Sequence, residues 1–343
     1  MPARGVTASR AGISAAVQRR PQAAEDGPTL QAISATYPST QHKNPTMSLD
    51  LEVMARQLEK SEDYRVLRRL KPQERFSDRQ CDHPLLAVAL DTETSGLDKT
   101  AEVIEIGMVK FSYSRDGHVL RVLDAFDQLQ APSAPIPAEV ERLTGITNAM
   151  VAGCAIDAAA VSAFIEGAAL VVAHNAGFDR PLCERLWPEF RATPWACSMR
   201  EIPWRTQGFE SLRLGDLLSH QGVFHAGHRA EDDCRALLHL LAAPFGSEGR
   251  PAFATLLENA RATTVRLFAA GAPFEAKDQL KARAYRWSDG SGGARRAWWK
   301  DVSQDAFEAE LEWLRANVYR GLPIQLPNRR ITARERYSST LGI

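Results

Sequence analysis

The 343-residue chain has only five cysteines, Cys81, Cys154, Cys183, Cys197 and Cys234, and no Cys-x-x-Cys pair among them. An odd, scattered set argues against a disulfide framework and a thiolate zinc site, and suits a reducing cytoplasm. Also lacking is any uninterrupted apolar run of about 18 residues, the length a membrane helix needs. The nearest approach, residues 151–173, carries Asp157 and Glu166, and such charges are costly in a bilayer. Net charge is missing too, because 42 basic and 42 acidic side chains cancel. A hydrophobic content of 44% and a charged content of 24% are those of a globular protein. The length suggests about two domains.

The balance of charge hides a division. Residues 1–84 hold 13 Lys/Arg against 10 Asp/Glu, and residues 85–244 hold 13 against 21. Residues 250–343 reverse the sign, with 16 against 10. An acidic centre is a poor phosphate binder by itself, unless cations gather among its acids.

Local patterns divide the chain further. Residues 1–46, rich in Ala, Ser, Thr, Gln and Pro, are expected to be a disordered tail. Arg4, Arg10, Arg19 and Arg20 faintly resemble a transit peptide, and a start at Met47 would leave the stretch untranslated. A helical extension is expected over residues 47–80. Ser48 is placed to cap a first helix with Leu51, Met54 and Leu58 on one face, and a second piece would run from Glu62 to Leu70. Leu85 to Leu90 form a continuous apolar run, as a central strand covered on both faces requires. Ile104, Ile106 and Met108 alternate, as do Val119, Arg121, Leu123 and Ala125, with Asp116-Gly117 turning between them.

Helices are expected around 138–143, 155–165, 178–186, 211–221 and 229–241, with short strands at 170–173 and 195–199. Strands first and alternating β/α elements afterwards imply an α/β fold, a mixed sheet with helices on its faces, over residues 81–246. A small α+β module is expected over residues 250–343. It would comprise a helical stripe from Phe253 to Phe268, a hairpin of 285–287 with 297–300, and a helix through Phe307, Leu311, Leu314 and Val318.

The chemistry lies in the acids. Asp91 and Glu93 follow the apolar run two residues apart, so they leave the strand's carboxyl end on one face. Ligands bind at that end in α/β sheets. Asp179 follows the strand at 170–173, in the first turn of a helix. Asp233 shares a helix stripe with Ala230 and Leu237 and leans inward, whereas Asp232 is rotated by about 100° toward solvent. Each acid alone has an ordinary reading as a solvated strand end or a favourable helix N-terminus. Together they would repel, at about 4 kcal/mol for two charges about 4 Å apart at an effective dielectric near 20. Either they lie apart or divalent cations sit between them, and oxygen-only ligands select magnesium or manganese over zinc. His228 precedes Asp233 by five residues, which places it at the helix entrance. A histidine there is the residue type suited to accept a proton at neutral pH. His225, His220 and His118 are expected to be structural or exposed.

The ordered set Asp91-Thr-Glu-Thr-Ser-Gly96, Val103–Gly107, Thr144–Thr147, His174–Asp179 and Gly227–Asp233 resembles the DEDDh branch of the DnaQ-like 3′–5′ exonucleases. The resemblance covers about residues 85–244. It implies an RNase H-like mixed five-stranded sheet and removal of nucleotides one at a time from a 3′ end. It assigns two divalent cations, Mg2+ or Mn2+, to Asp91, Glu93, Asp179 and Asp233, and the general base to His228. Thr94, Leu97, Asn175 and Phe178 fall on substrate-side positions. Ser95 and Thr144 depart mildly from the family pattern. DNA ends in proofreading or repair are the expected substrate, with RNA ends the alternative and a polymerase or repair factor a possible partner. A rival reading makes the fold a scaffold for nucleic-acid binding or partner docking.

Residues 281–300 combine Lys281, Arg283, Arg286, Arg295, Arg296 and Lys300 with Tyr285, Trp287, Trp298 and Trp299. Most of the tryptophans are expected in the module's core, with the basic face guiding substrate. Ser291-Gly-Gly293 lacks the Gly-Lys-Ser/Thr of a phosphate loop.

Overall fold

The computed structural model describes residues 45–98, 100–291, 294–322 and 324–339. The tail expected over residues 1–46 lies outside the described residues up to position 44. The described residues from 55 onward form one compact unit. Helix α1 (Pro45–Leu58) begins ahead of the expected Ser48 cap.

The apolar run forms the middle of a five-stranded sheet. β2 (Leu85–Thr94), β3 (Val103–Tyr113) and β4 (Val119–Leu129) are antiparallel neighbours. β5 (Leu170–Ala173) and β6 (Trp195–Cys197) add in parallel, for the order β4-β3-β2-β5-β6. This is the mixed RNase H-like sheet that the sequence predicts. Helices α2 (Ala138–Thr144), α3 (Asn148–Val151) and α4 (Ala158–Ile165) join β4 to β5, and α5 (Ala176–Leu186) joins β5 to β6. Beyond β6 come α6 (Ser198–Glu201), α7 (Leu214–His220), α8 (Ala230–Ala242) and α9 (Ala252–Arg261).

Successive residues of β2 serve opposite faces, as the pleat requires. Val88 and Leu90 pack with Val161 and Phe164 of α4 and Cys183 of α5. Ala87 and Ala89 pack with Leu217 of α7, Leu237 and Leu241 of α8 and Phe253 of α9. The alanines leave room on that side for α8 to lie close against the sheet.

Two local expectations are corrected. Glu62–Leu70 is not helical, with a turn at Glu62–Asp63 and irregular chain up to β1 (Arg68–Arg69), which pairs in parallel with β7 (Val223–Phe224). Lys71-Pro72 follows it, and the residue before a proline avoids helix. The stripe from Phe253 to Phe268 is not one helix. It breaks after Arg261, where Thr263-Thr264-Val265 crowd three β-branched side chains, and continues as β10 (Thr264–Ala269). The paired strands β8 (Pro244–Phe245) and β9 (Arg250–Pro251) turn the chain into α9.

The remaining elements are α10 (Lys277–Ala282), β11 (Arg286–Ser288), β12 (Ala297–Ser303), α11 (Phe307–Asn317) and β13 (Asn328–Ile331). With β10 they make an antiparallel sheet ordered β11-β12-β10-β13, one face of which packs Leu267 and Ala269 against Leu280, Leu311 and Leu314. Helix α9 meanwhile belongs to the larger core. Phe253 has no exposed surface, and its ring meets Phe111 at 5.5 Å and Tyr113 at 5.1 Å, both edge-on.

Replacing Phe253 by Ala should therefore cost about 3–5 kcal/mol, the usual loss for a fully buried ring. Urea unfolding of the full chain checks this, and a loss under about 1 kcal/mol would mean that α9 is peripheral.

Candidate active site

Asp91 and Glu93 stand at the carboxyl end of β2. One carboxylate oxygen from each, together with one from Asp233 of α8, lie within 4.8 Å of one another. A glycine makes this approach possible. Gly107 of β3 pairs with Asp91, and a Cβ there would fall 2.2 Å from the backbone of Ala230 and Glu231. Only a residue without a side chain lets the first turn of α8 rest on the sheet beside Asp91.

Glu105 fastens the same contact. It pairs with Glu93 across the strands and is completely buried. Its carboxylate accepts from the Ala230 N–H at 2.9 Å and from Arg229 Nε at 2.8 Å. An anion at a helix N-terminus meets unpaired N–H groups and the positive end of the dipole. Glu105 thus sets where α8, and with it Asp233, begins.

Both oxygens of Asp233 are engaged. Oδ2 accepts from the backbone N–H groups of His228 at 2.7 Å and Arg229 at 3.1 Å. Oδ1 lies 2.7 Å from Nε2 of His225, so that histidine orients a site carboxylate. His228 itself is exposed and sits at φ +70°, a left-handed conformation that costs a non-glycine residue energy. The loop held by Asp233 keeps it there, with its imidazole open to solvent at the helix entrance.

Asp179 completes the set from α5. Its Oδ1 accepts from the hydroxyl of Thr92 at 2.8 Å and from the Thr92 N–H at 3.2 Å, so β2 holds it between Asp91 and Glu93 in sequence. The next residue anchors α5 from behind. Arg180 is buried, donates through Nε to Glu184 at 2.8 Å, and donates to the carbonyls of Ala333, Arg334 and Arg336. Glu184 in turn accepts from the hydroxyls of Ser338 and Ser339. The last described segment of the chain is therefore bound to the helix that carries Asp179.

The electrostatics follow from this crowding. Burial, then the charges of Asp179, Asp233, Glu93 and Glu105, push Asp91 well above the usual carboxylate range. Burial, then Asp233, Glu105 and Asp179, raise Glu93 to about 8, with Arg229 opposing weakly. Burial raises Asp179 to about 7 against the Thr92 hydrogen bonds, which favour its charged form. Burial and Glu105 lift Asp127, on β4, to about 6. These acids lack enough positive partners for their charge. Oxygen-only donors, this spacing and unbalanced buried charge fit a small hard divalent cation.

The substrate-side candidates are dispersed around the strand end. Leu97 is 89% exposed, beyond the turn that follows β2. Asn175 is the N-cap of α5 at φ +88° without a side-chain cap bond, and Phe178 lies in the first turn of that helix, half-buried. Thr94 is buried, with its hydroxyl spent on the Gly96 carbonyl at 2.5 Å. Sequence reasoning passed over Thr92, Glu105, Gly107 and His225. The signal for Glu105 was present, since an acid inside an apolar central strand needs a partner.

Two outcomes are expected. With chelator present, the raised acids bind more protons in the folded chain than in the unfolded one, so stability should fall as pH rises from about 5 to 8.5. Thermal unfolding with and without magnesium checks this, and the stabilisation by magnesium should grow over the same range. A rise in the chelated protein's stability over that range would contradict the unbalanced cluster. Gly107→Ala should displace α8, lowering the unfolding midpoint and abolishing most of the magnesium-dependent shift.

A profile of the family described as Exonuclease (RNase T) matches residues 88–241. The chain is 35% identical over 165 residues to DNA polymerase III subunit epsilon of Treponema pallidum, a match that covers 44% of this chain and 73% of that one. It is 30% identical over 176 residues to an uncharacterised exonuclease of Escherichia phage 186, over 45% of this chain and 85% of the relative. A Mycobacterium tuberculosis protein described as a bifunctional exonuclease/endonuclease is 33% identical over 189 residues, but the match spans only 28% of its length. With the site acids brought together on the expected sheet, the chain belongs to the DnaQ-like exonuclease family.

Proposed function

We propose that the chain hydrolyses phosphodiester bonds one nucleotide at a time from the 3′ end of DNA, in proofreading or repair. The convergence of Asp91, Glu93 and Asp233 within 4.8 Å carries the reading. Two divalent cations, magnesium or manganese, would be held by these three acids and Asp179. When bound they supply positive charge for the attacking water and the departing oxygen.

The chain's own residues do the rest. Asp233 holds the loop that presents His228, whose imidazole accepts the proton of the attacking water as general base. Thr92 keeps Asp179 turned toward the cluster, and Glu105 keeps α8 against β3. Exposed Leu97 and the half-buried Phe178 offer apolar surface to the terminal base, and Asn175 offers a polar group beside it. Thr94 shapes the turn beneath Leu97 through its bond to Gly96. The polymerase III epsilon relative supports DNA as substrate and a polymerase as a partner.

The test uses 5′-labelled single-stranded DNA and RNA of one sequence, incubated side by side with magnesium. DNA shortening in single-nucleotide steps from the 3′ end is expected. Asp91→Ala should slow it on the order of 10²–10³-fold, the loss that follows removal of a main electrostatic group. His228→Ala should slow it about 10²–10⁴-fold, with the rate's dependence on pH flattened near neutrality. Absence of hydrolysis, shortening from the 5′ end, or an unaffected Asp91→Ala variant would overturn the proposal.

A further inference from the structure

The sheet β11-β12-β10-β13 has a second face that α10 and α11 do not cover. Its register sets Arg266 beside Asp301 and Arg329, and Trp299 beside Phe268 and Arg286. Arginines stack on the rings there. The guanidinium carbons of Arg266 and Arg286 lie 4.0 and 5.4 Å from the Trp299 ring centre, and that of Arg295 lies 5.8 Å from Phe268. Stacking of this kind holds a guanidinium in place without neutralising it.

The hydrogen bonding on this face is incomplete. Arg266 grips Asp301 through Nε at 2.7 Å and one terminal nitrogen at 2.9 Å. Its other terminal nitrogen, Nη1, is buried and has no partner among the described residues, and neither has Nε1 of Trp299. Arg266 is 6% exposed and Trp299 5%, so both are donors withdrawn from water. A buried donor left unmatched is destabilising, and an incoming acceptor would recover that loss. Arg286 and Arg295 are exposed and have neither ion pair nor hydrogen bond among the described residues. Donors only, set flat against rings, match the oxygens of a phosphodiester.

The neighbouring strand edge adds an aromatic surface. Trp287 follows Arg286 on β11, the edge strand, and so leaves that strand on the opposite face beside Trp298; it is 50% exposed, with its ring 5.5 Å from that of Trp298. A half-exposed ring just across this strand edge from unneutralised guanidinium groups favours a nucleic-acid strand over a phosphorylated peptide, because bases stack as phosphates pair. We propose that this face and the β11 edge bind single-stranded nucleic acid, with phosphates on Arg286, Arg295 and the free donors of Arg266 and Trp299, and a base turned over the edge onto Trp287. The site is separate from the acidic cluster and holds the strand without cutting it.

Fluorescence anisotropy of a labelled oligo-dT with the full chain in EDTA tests this with hydrolysis switched off. Failure here would thus leave the hydrolytic reading standing, and failure of that reading would leave this one. Arg286→Ala/Arg295→Ala should weaken binding about tenfold and lower the slope of log affinity against log salt by about 1.4, as for two lost phosphate contacts. Its unfolding midpoint should stay unchanged, since both side chains are exposed. Trp287→Ala should weaken binding several-fold with the slope kept. Unchanged affinity and slope in the double variant would overturn the proposal. So would competition by a phosphoserine peptide of equal charge as effective as that by unlabelled oligo-dT.

Discussion

Mutual repulsion among buried carboxylates is the constraint around which the rest of the exonuclease fold is arranged. Burial raises the proton affinity of Asp91, Glu93 and Asp179, and the charges of neighbouring acids add to it at Asp91 and Glu93. A chain gains nothing in stability from such an arrangement, since each pair opposes folding at neutral pH. The energy has to come from packing elsewhere, and the two apolar cores on either face of the sheet provide it. Stored repulsion is also what makes the cluster a good host for divalent cations, which relieve it on binding.

Positioning against that repulsion is done by residues that themselves need no cation. Gly107 removes the obstacle between α8 and β3, and Glu105 binds the helix's free N–H groups at the same point. His225 and the backbone of His228 and Arg229 hold Asp233 from both sides. On the opposite face, Arg180 and Glu184 fix the rear of α5 to residues 333–339. The final described segment is thereby a structural part of the site, and α9 is part of its core. A boundary drawn after residue 246 would cut through both.

The far sheet works by the opposite electrostatics. Arg266, Arg286 and Arg295 stack on its aromatic rings, and of these three Arg266 has a carboxylate in contact, so positive charge stays available at its surface. An acidic cluster on one sheet and a basic, aromatic face on the other account for the charge division visible along the sequence.

Much of this was legible in one dimension. The apolar run at 85–90, the alternation after it and the two-residue spacing of Asp91 and Glu93 determine a central strand with two acids at its end, because side-chain direction on a strand has a period of two. The helical stripe of Ala230, Asp233 and Leu237 likewise turns one acid inward. Where the stripe from Phe253 to Phe268 misled, two elements of different period had been joined by chance, and strand partners far along the chain decided the break. Tertiary structure alone decided the roles of Thr92, Gly107, His225 and Arg180. Each acts on something distant in sequence, and a requirement for empty space or for a buried donor leaves no periodic trace until the chain has folded around it.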